Sequence, residues 1–147
     1  MPSSESTPVY AEVIFQSIQC RAATPEPRFE VVRNQQQLDF LLHEFNRHIL
    51  GKKTEPYPVD FESTNVLLLE MGYRPTAGYS LSISEAKIRV QNNEAFVVAQ
   101  WDEPPEDSMQ AQVIISPCAI FTLPRGNYSR VTVDIHNKNS QFSVLLN

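Results

Sequence analysis

The sequence has few glycines, little positive charge and no long apolar run, and each shortage excludes a class of protein. Its 147 residues include 12 Lys or Arg against 17 Asp or Glu, a net charge of −5. A nucleic-acid-binding domain normally carries a basic stripe, which this chain lacks. The longest apolar run, residues 66–69, is far too short to span a bilayer. We therefore expect neither nucleic-acid binding nor a membrane span.

The two cysteines, Cys20 and Cys118, are too few for a disulfide scaffold or a zinc ribbon. They are 98 positions apart, and two alternatives stay open. They form one long-range disulfide, or they are two buried free thiols, since free cysteine is among the most buried residue types.

Catalytic and cofactor motifs are missing as well. Four glycines leave no glycine-rich loop to cradle a phosphate, and no Gly-x-Ser-x-Gly elbow occurs. His43 and His48 are five positions apart on a predicted helix, so they point in different directions, and His136 lies in a polar stretch. The sequence therefore predicts no enzyme, no cofactor and no metal site.

The first eight residues form a polar segment without an apolar core, and we expect a disordered tail rather than a signal peptide. This composition fits a cytoplasmic protein. It fits a periplasmic or cell-envelope protein equally well if an export signal has been removed.

From residue 9 to residue 147 the pattern predicts a single β-rich domain. One amphipathic helix is predicted over residues 35–50, with Asn34 as N-cap and Gly51 just after its end. Short alternating apolar runs predict the strands, among them residues 9–15 and 109–115, with a β-bulge near residue 84. Seven or eight strands without a βαβ rhythm indicate an antiparallel β-sandwich or barrel with the helix packed on it.

One loop, residues 72–79, uses two of the scarce glycines. Pro75 fixes its own φ, and Gly78 can adopt the positive φ that turns the chain into the next strand. Tyr73, Arg74 and Tyr79 are residue types enriched at binding hot spots, and a stiff loop loses little entropy on docking. The loop is therefore a candidate recognition element, and a simple tight hairpin turn is the alternative.

The acidic stretch 101–107 has four carboxylates, but its spacing matches no calcium loop and two prolines restrict it. We expect a solvated hairpin tip there, with Trp101 in the core.

The residues also carry a family resemblance. Three pieces stand in order: Val-Asp-Phe at residues 59–61, a Gly-x-x-Pro-Thr-x-Gly-Tyr loop at 72–79, and Ser-Pro-x-x-Ile-x-x-Leu-Pro at 116–124. With these pieces, residues 59–133 resemble the C-terminal domain of the PrcB family, named for a bacterial protease-complex subunit. Ala77 stands where a second glycine is usual in that family, and Cys118 where an aromatic residue is usual. The loop is also distantly similar to the Asn-Pro-Thr-Thr-Gly-Tyr loop of chagasin-type cysteine-protease inhibitors.

The resemblance implies a non-catalytic module that binds a protease, or a protease complex, through loop 72–79 without a covalent step. Segment 116–126 is expected to form a neighbouring edge of the same surface. The predicted partner-binding residues are Gly72, Tyr73, Arg74, Pro75, Thr76, Ala77, Gly78, Tyr79, Pro117 and Pro124. The alternatives are a chagasin-like protease inhibitor, or a structural or assembly domain of the bacterial cell envelope that uses a sheet edge or the segment 142–146. The oligomeric state stays open.

Overall fold

The computed structural model describes residues 8–47 and 55–146. It contains one helix, α1 (Gln35–Asn46), and nine strands among these residues. The strands are β1 (Glu12–Ser17), β2 (Arg28–Val32), β3 (Thr64–Glu70), β4 (Ser80–Ile83), β5 (Arg89–Gln91), β6 (Glu94–Asp102), β7 (Cys118–Pro124), β8 (Arg130–Ile135) and β9 (Ser140–Leu145). The prediction of a mainly β fold with one helix is confirmed, with more strands than expected.

The strands form two sheets that are not closed into a barrel. The first sheet has the order β1-β7-β3-β2 with antiparallel neighbours throughout. In the second, the order is β4-β6-β8-β9, and β5 also pairs with β6. A sandwich rather than a barrel is therefore the appropriate description.

One pair of strands corrects the expectation of a wholly antiparallel fold. β6 and β8 run parallel, with Ala95 opposite Val131 and Ala99 opposite Ile135. Side chains alternate between faces in both kinds of pairing, so the apolar pattern carried no information about direction. The long connection through β7, in the other sheet, makes the parallel pairing feasible.

Two apolar layers explain why β3 has buried residues at almost every position. Leu67 and Leu69 face the core between the two sheets, together with Phe121 of β7. Val66 and Leu68 face the other way, toward α1. The continuous apolar run arises because the first sheet is covered on both faces.

α1 packs on the outer face of the first sheet through one apolar stripe, Leu38, Leu41, Leu42 and Phe45. As predicted, the Asn34 side chain accepts a hydrogen bond from the Gln37 N–H (2.8 Å) and caps the helix. The helix ends at residue 46 rather than 50, and Gly51, with the rest of residues 48–54, lies outside the described residues. Among the residues described, no helix is both long and apolar enough to cross a membrane.

Two irregularities differ from the sequence-based prediction. A bulge in β1 between Val13 and Phe15 shifts the register, so Phe15 stacks on Phe45 of the helix instead of joining the inter-sheet core. The expected single bulge near residue 84 is instead a break of five residues, 84–88, between β4 and β5. The bulge thus moves Phe15 to the helix side of the sheet, whereas the break returns Ile88 to the same core as Leu81 and Ile83.

Candidate functional site

Loop 72–79 begins at a glycine whose surroundings leave no room for a side chain. Gly72 has φ +87°, and a Cβ built on it would lie 2.4 Å from the Pro25 carbonyl oxygen. The next residue, Tyr73, donates its N–H to the Thr24 carbonyl (3.0 Å). The segment 22–27 therefore packs directly against the start of the loop, with backbone against backbone.

The end of the loop is held from the other side. Gly78 has φ +100°, and a Cβ there would lie 2.8 Å from the Pro104 Cβ. The Ala77 N–H donates to the Ala111 carbonyl (3.1 Å), and the Thr76 hydroxyl donates to the Ala77 carbonyl (3.0 Å). Both ends of the loop are thus fixed by chain segments that are distant in sequence.

In its middle, the loop pairs with an extended segment that precedes β7. Arg74 and Ile115 exchange two backbone hydrogen bonds, of 2.7 and 3.0 Å. Because side chains alternate across an extended chain, Tyr73 and Ile114 lie on the opposite side from Arg74 and Ile115, and Pro75 begins the bend at the tip of the loop. We call Tyr73, Pro75 and Ile114 the outer loop face.

The outer loop face is apolar and accessible. Tyr73 is 39% exposed and Ile114 is 66% exposed, and Pro75 is exposed as well. Met109 and Val113, in the same extended segment, are also exposed apolar residues. The sequence predicted a strand over residues 109–115, and this prediction is wrong: apart from the Ile115 bridge, the segment has no ladder partner.

Arg74 faces inward and does not join Tyr73 on the outer loop face. One of its terminal nitrogens, Nη1, donates to the Pro25 carbonyl (2.9 Å), and the guanidinium lies over the rings of Trp101 (5.5 Å to the centroid) and Tyr79 (5.9 Å). Tyr79 is itself half-buried. Of the three expected anchors, the structure therefore leaves only Tyr73 on the exposed side.

The two prolines of segment 116–124 lie far apart. Pro117 is buried beside the loop, and its carbonyl accepts the Met71 N–H (2.9 Å). Pro124 is at the other end of β7, about 20 Å away for a strand of this length. Pro124 therefore lies apart from loop 72–79, because most of segment 116–126 is a buried strand.

In the structure, Cys20 and Cys118 form a disulfide, with their Cα atoms 5.9 Å apart. Both are buried, at the edge of the cluster between α1 and the first sheet. Cys20 precedes segment 22–27, which contacts Gly72, and Cys118 is the first residue of β7. The disulfide therefore links that segment to the start of β7.

A comparison with protein families adds to this geometry. Residues 66–124 match the PrcB C-terminal family. The match confirms the resemblance inferred from the sequence, and it covers about two fifths of the chain. A search of curated proteins and a search of solved structures gave no match. The similarity to chagasin-type inhibitors has no support from these comparisons.

The segment matched to the PrcB C-terminal family runs from β3 to β7, and it contains the whole of loop 72–79, Trp101 and the disulfide's Cys118. At its start, Glu70 is 5% exposed and accepts a hydrogen bond from the Arg28 Nε (2.9 Å). Burial raises the pKa of the Glu70 carboxyl, and the Arg28 charge offsets only part of this effect. A buried carboxyl group therefore lies next to the loop.

The acidic stretch 101–107 lies within the same segment, and its described contacts are with the protein itself. Glu106 and Asp107 are exposed, and Glu103 forms an ion pair with Lys138. Trp101 belongs to the core between the sheets. Within the described residues, no group of three or more His, Cys, Asp or Glu is placed to hold a metal ion. His43 and His136 are exposed and far apart in sequence, while His48 lies outside the described residues.

One structural contact of Trp101 had no signal in the sequence. The Asn137 side chain accepts the Trp101 N–H (3.0 Å) and donates to the Trp101 carbonyl (2.6 Å). It thus extends the pairing of β6 where β8 has ended. The two positions are 36 apart in the sequence, and no local pattern would have predicted this contact.

Proposed function

We propose that this chain is a non-catalytic module that binds a protease, or a protease complex, through loop 72–79. The observation that supports this function best is the outer loop face. Its exposed apolar side chains stand on a backbone that is fixed from both sides. Such a surface loses little conformational entropy when a partner docks.

We infer the class of partner, a protease or a protease complex, from the family match. The matched segment contains the loop, and the PrcB C-terminal family is associated with a protease complex rather than with a known catalytic activity. In our proposal, Tyr73 is the central anchor, because aromatic residues dominate binding energy when a partner buries them. Arg74 acts indirectly, since its bond to the Pro25 carbonyl holds the loop in position.

The test is capture of a protease from extracts of the source cell, followed by its identification by mass spectrometry. We expect the unmodified protein to retain a protease subunit, and Tyr73→Ala with Ile114→Ser to reduce this at least about tenfold. Phe40→Ala is the matched control, because Phe40 is a 63% exposed aromatic residue on helix α1, outside loop 72–79. Melting temperatures establish that the variants are folded.

Assays against serine and cysteine proteases then separate the two roles. Inhibition that Pro75→Ala or Tyr73→Ala abolishes would favour the inhibitor alternative. Capture without inhibition would favour a complex subunit. Equal capture by the wild type and the Tyr73/Ile114 variant would refute the assignment of the loop.

A second candidate, an assembly domain that uses a sheet edge, has one observation in its favour. β9 is an edge strand without charge or proline, the features that usually protect an edge. Leu146 donates its N–H to the Ser129 carbonyl (2.9 Å), so alternate residues of β9 direct their backbone groups to the open edge. These are Gln141, Ser143 and Leu145. Co-purification of an envelope protein that Leu145→Lys abolishes, without any effect on proteolysis, would support this candidate.

A further inference from the structure

Behind loop 72–79, on the side away from the outer loop face, lies a pocket of about 400 Å³. Its lining combines residues of three strands, β6, β8 and β9, with aromatic and charged side chains of the connections beside them. The aromatic residues of the lining are Tyr79, Trp101 and Phe142, and the charged ones are Arg74, Glu103 and Lys138. We call it the Arg74 pocket.

Aromatic rings form the apolar part of the pocket. Trp101 and Phe142 stack with their ring centroids 6.4 Å apart, and Tyr79 lies under the Arg74 guanidinium. Tyr79 and Phe142 are only partly buried, so their rings are available to a ligand. A ligand with an apolar body would bury this surface and gain free energy from it.

The charged part of the pocket is unbalanced. Glu103 is the single carboxylate of the lining, and it forms an ion pair with Lys138. Arg74 contacts two carbonyls and two rings, and no carboxylate of the residues described here lies within ion-pair distance of it. The pocket therefore presents a half-buried guanidinium whose charge is not compensated.

We infer that the Arg74 pocket binds the C-terminal residue of a partner polypeptide, one with an apolar side chain. An arginine fork pairs with a carboxylate through two parallel hydrogen bonds, and the stacked rings hold the guanidinium in place. A C-terminal residue supplies a free carboxylate and an apolar side chain from the same backbone unit. An internal Asp or Glu supplies the charge but leaves the rings of Tyr79 and Phe142 uncovered.

This inference goes beyond the proposed function, because the pocket and the outer loop face are on opposite sides of the same loop. A protease can be captured by the outer loop face whether or not a chain terminus enters the pocket. Failure of one assignment is therefore distinguishable from failure of the other.

The experiment uses a pair of peptides that differ in one group. The peptide Gly-Ser-Gly-Ser-Phe is prepared with a free C-terminal carboxylate and as its C-terminal amide. Trp101 is the sole tryptophan of the chain and lines the pocket, so its fluorescence reports binding directly. We expect the acid to bind at least about tenfold more tightly than the amide, and the difference to shrink as salt is added.

Two variants sharpen the assignment. Phe142→Ala should weaken binding of acid and amide alike, because it removes part of the apolar wall. Arg74→Gln should abolish the difference between acid and amide. The control variant Phe40→Ala, on helix α1, should change neither the affinity for the acid nor the affinity for the amide. Because Arg74 also holds the loop, the comparison of the two peptides on the unmodified protein is decisive.

Three results with peptides would overturn the inference. They are equal affinity for acid and amide, no binding of the acid at about 1 mM, and equal competition by a peptide whose only carboxylate is an internal Glu, with its terminus amidated. The third result would assign the pocket to acidic side chains instead. Equal competition by free benzoate would also overturn the inference, because it would assign the pocket to small aromatic acids.

Discussion

The two ends of the β-sandwich hold their connections in different ways. At one end, which we call the loop end, loop 72–79 meets segments 22–27 and 104–115, and two glycines with positive φ make the close approach feasible. At the other end, the turn end, Tyr128 donates its N–H to the Gly126 carbonyl (2.8 Å) and its hydroxyl to the Pro124 carbonyl. The loop end depends mostly on contacts distant in sequence, whereas the turn end adds bonds within residues 124–128 to distant ones, such as that from the Arg125 N–H to the Ser63 carbonyl (2.9 Å).

This difference shows where a binding surface can be both rigid and exposed. A local turn is stable by itself, but it presents only its own few residues. At the loop end, segments 22–27 and 104–115 hold the backbone of loop 72–79 by hydrogen bonds. The side chains of the outer loop face are therefore accessible to a partner. The distinction predicts that changes at the loop end reduce stability more than equivalent changes at the turn end.

Removal of the disulfide should have the largest effect. The bond joins residues 98 positions apart at the loop end, and a link that closes so long a loop stabilises by about 4.7 kcal/mol in the chain-entropy description. The double variant Cys20→Ala/Cys118→Ala should lower the free energy of unfolding by about this amount. Urea denaturation followed by Trp101 fluorescence measures it.

A reductant provides the control for this prediction. It should lower the urea midpoint of the wild-type protein and leave that of the double variant unchanged. If reductant does not alter the wild-type midpoint, the two cysteines are free thiols in the purified protein. That outcome would also remove one of the constraints that distinguish the loop end.

The next largest effect should come from Gly72→Ala, with Gly126→Ala as its counterpart at the turn end. An alanine at position 72 adopts a positive φ and places its Cβ against a backbone oxygen, so we expect a loss of about 3 kcal/mol or more. Gly126 has no positive φ, and its added Cβ would meet only the Tyr128 ring at 3.1 Å. Gly126→Ala should cost less than about 1 kcal/mol.

Thermal unfolding of the two variants measures this contrast directly. A similar loss of stability in both would show that the two ends are equally constrained. A small loss in Gly72→Ala would mean that segment 22–27 moves aside, and then the loop is not fixed from that side.

The sequence predicted features that depend on local chemistry. Asn34 as N-cap, the stripe of α1 and the positive φ of Gly78 all follow from the preferences of single residues or from short periodicities. The parallel pairing of β6 with β8 did not follow, because alternation of side chains is the same in both directions.

The sequence also did not predict the orientation of Arg74 or the conformation of residues 109–115. Ile115 pairs with Arg74 through backbone groups, which every residue carries, so no side-chain pattern marks the contact. The apolar residues that suggested a strand, Val113 and Ile114, are exposed. Their apolar character therefore predicted burial, whereas the structure places both side chains on an accessible surface.

The smallest effect concerns Glu70, the buried carboxyl at the loop end. Burial raises its pKa above the usual 4.5, so in the folded protein it keeps its proton to a higher pH than in the unfolded chain. Stability contributed by this group is therefore present at low pH. It declines as the pH rises from about the unfolded pKa through the folded one.

Glu70→Gln removes this titration and should flatten the decline of stability with rising pH just above pH 4.5. Glu30→Gln is the control, because Glu30 lies 3.6 Å from the same Arg28 and is considerably more exposed than Glu70. Urea denaturation at a series of pH values measures the slope. If Glu70→Gln steepens the decline instead, the Arg28 charge outweighs burial. The loop end would then be stabilised by that ion pair rather than by contacts that exclude water from it.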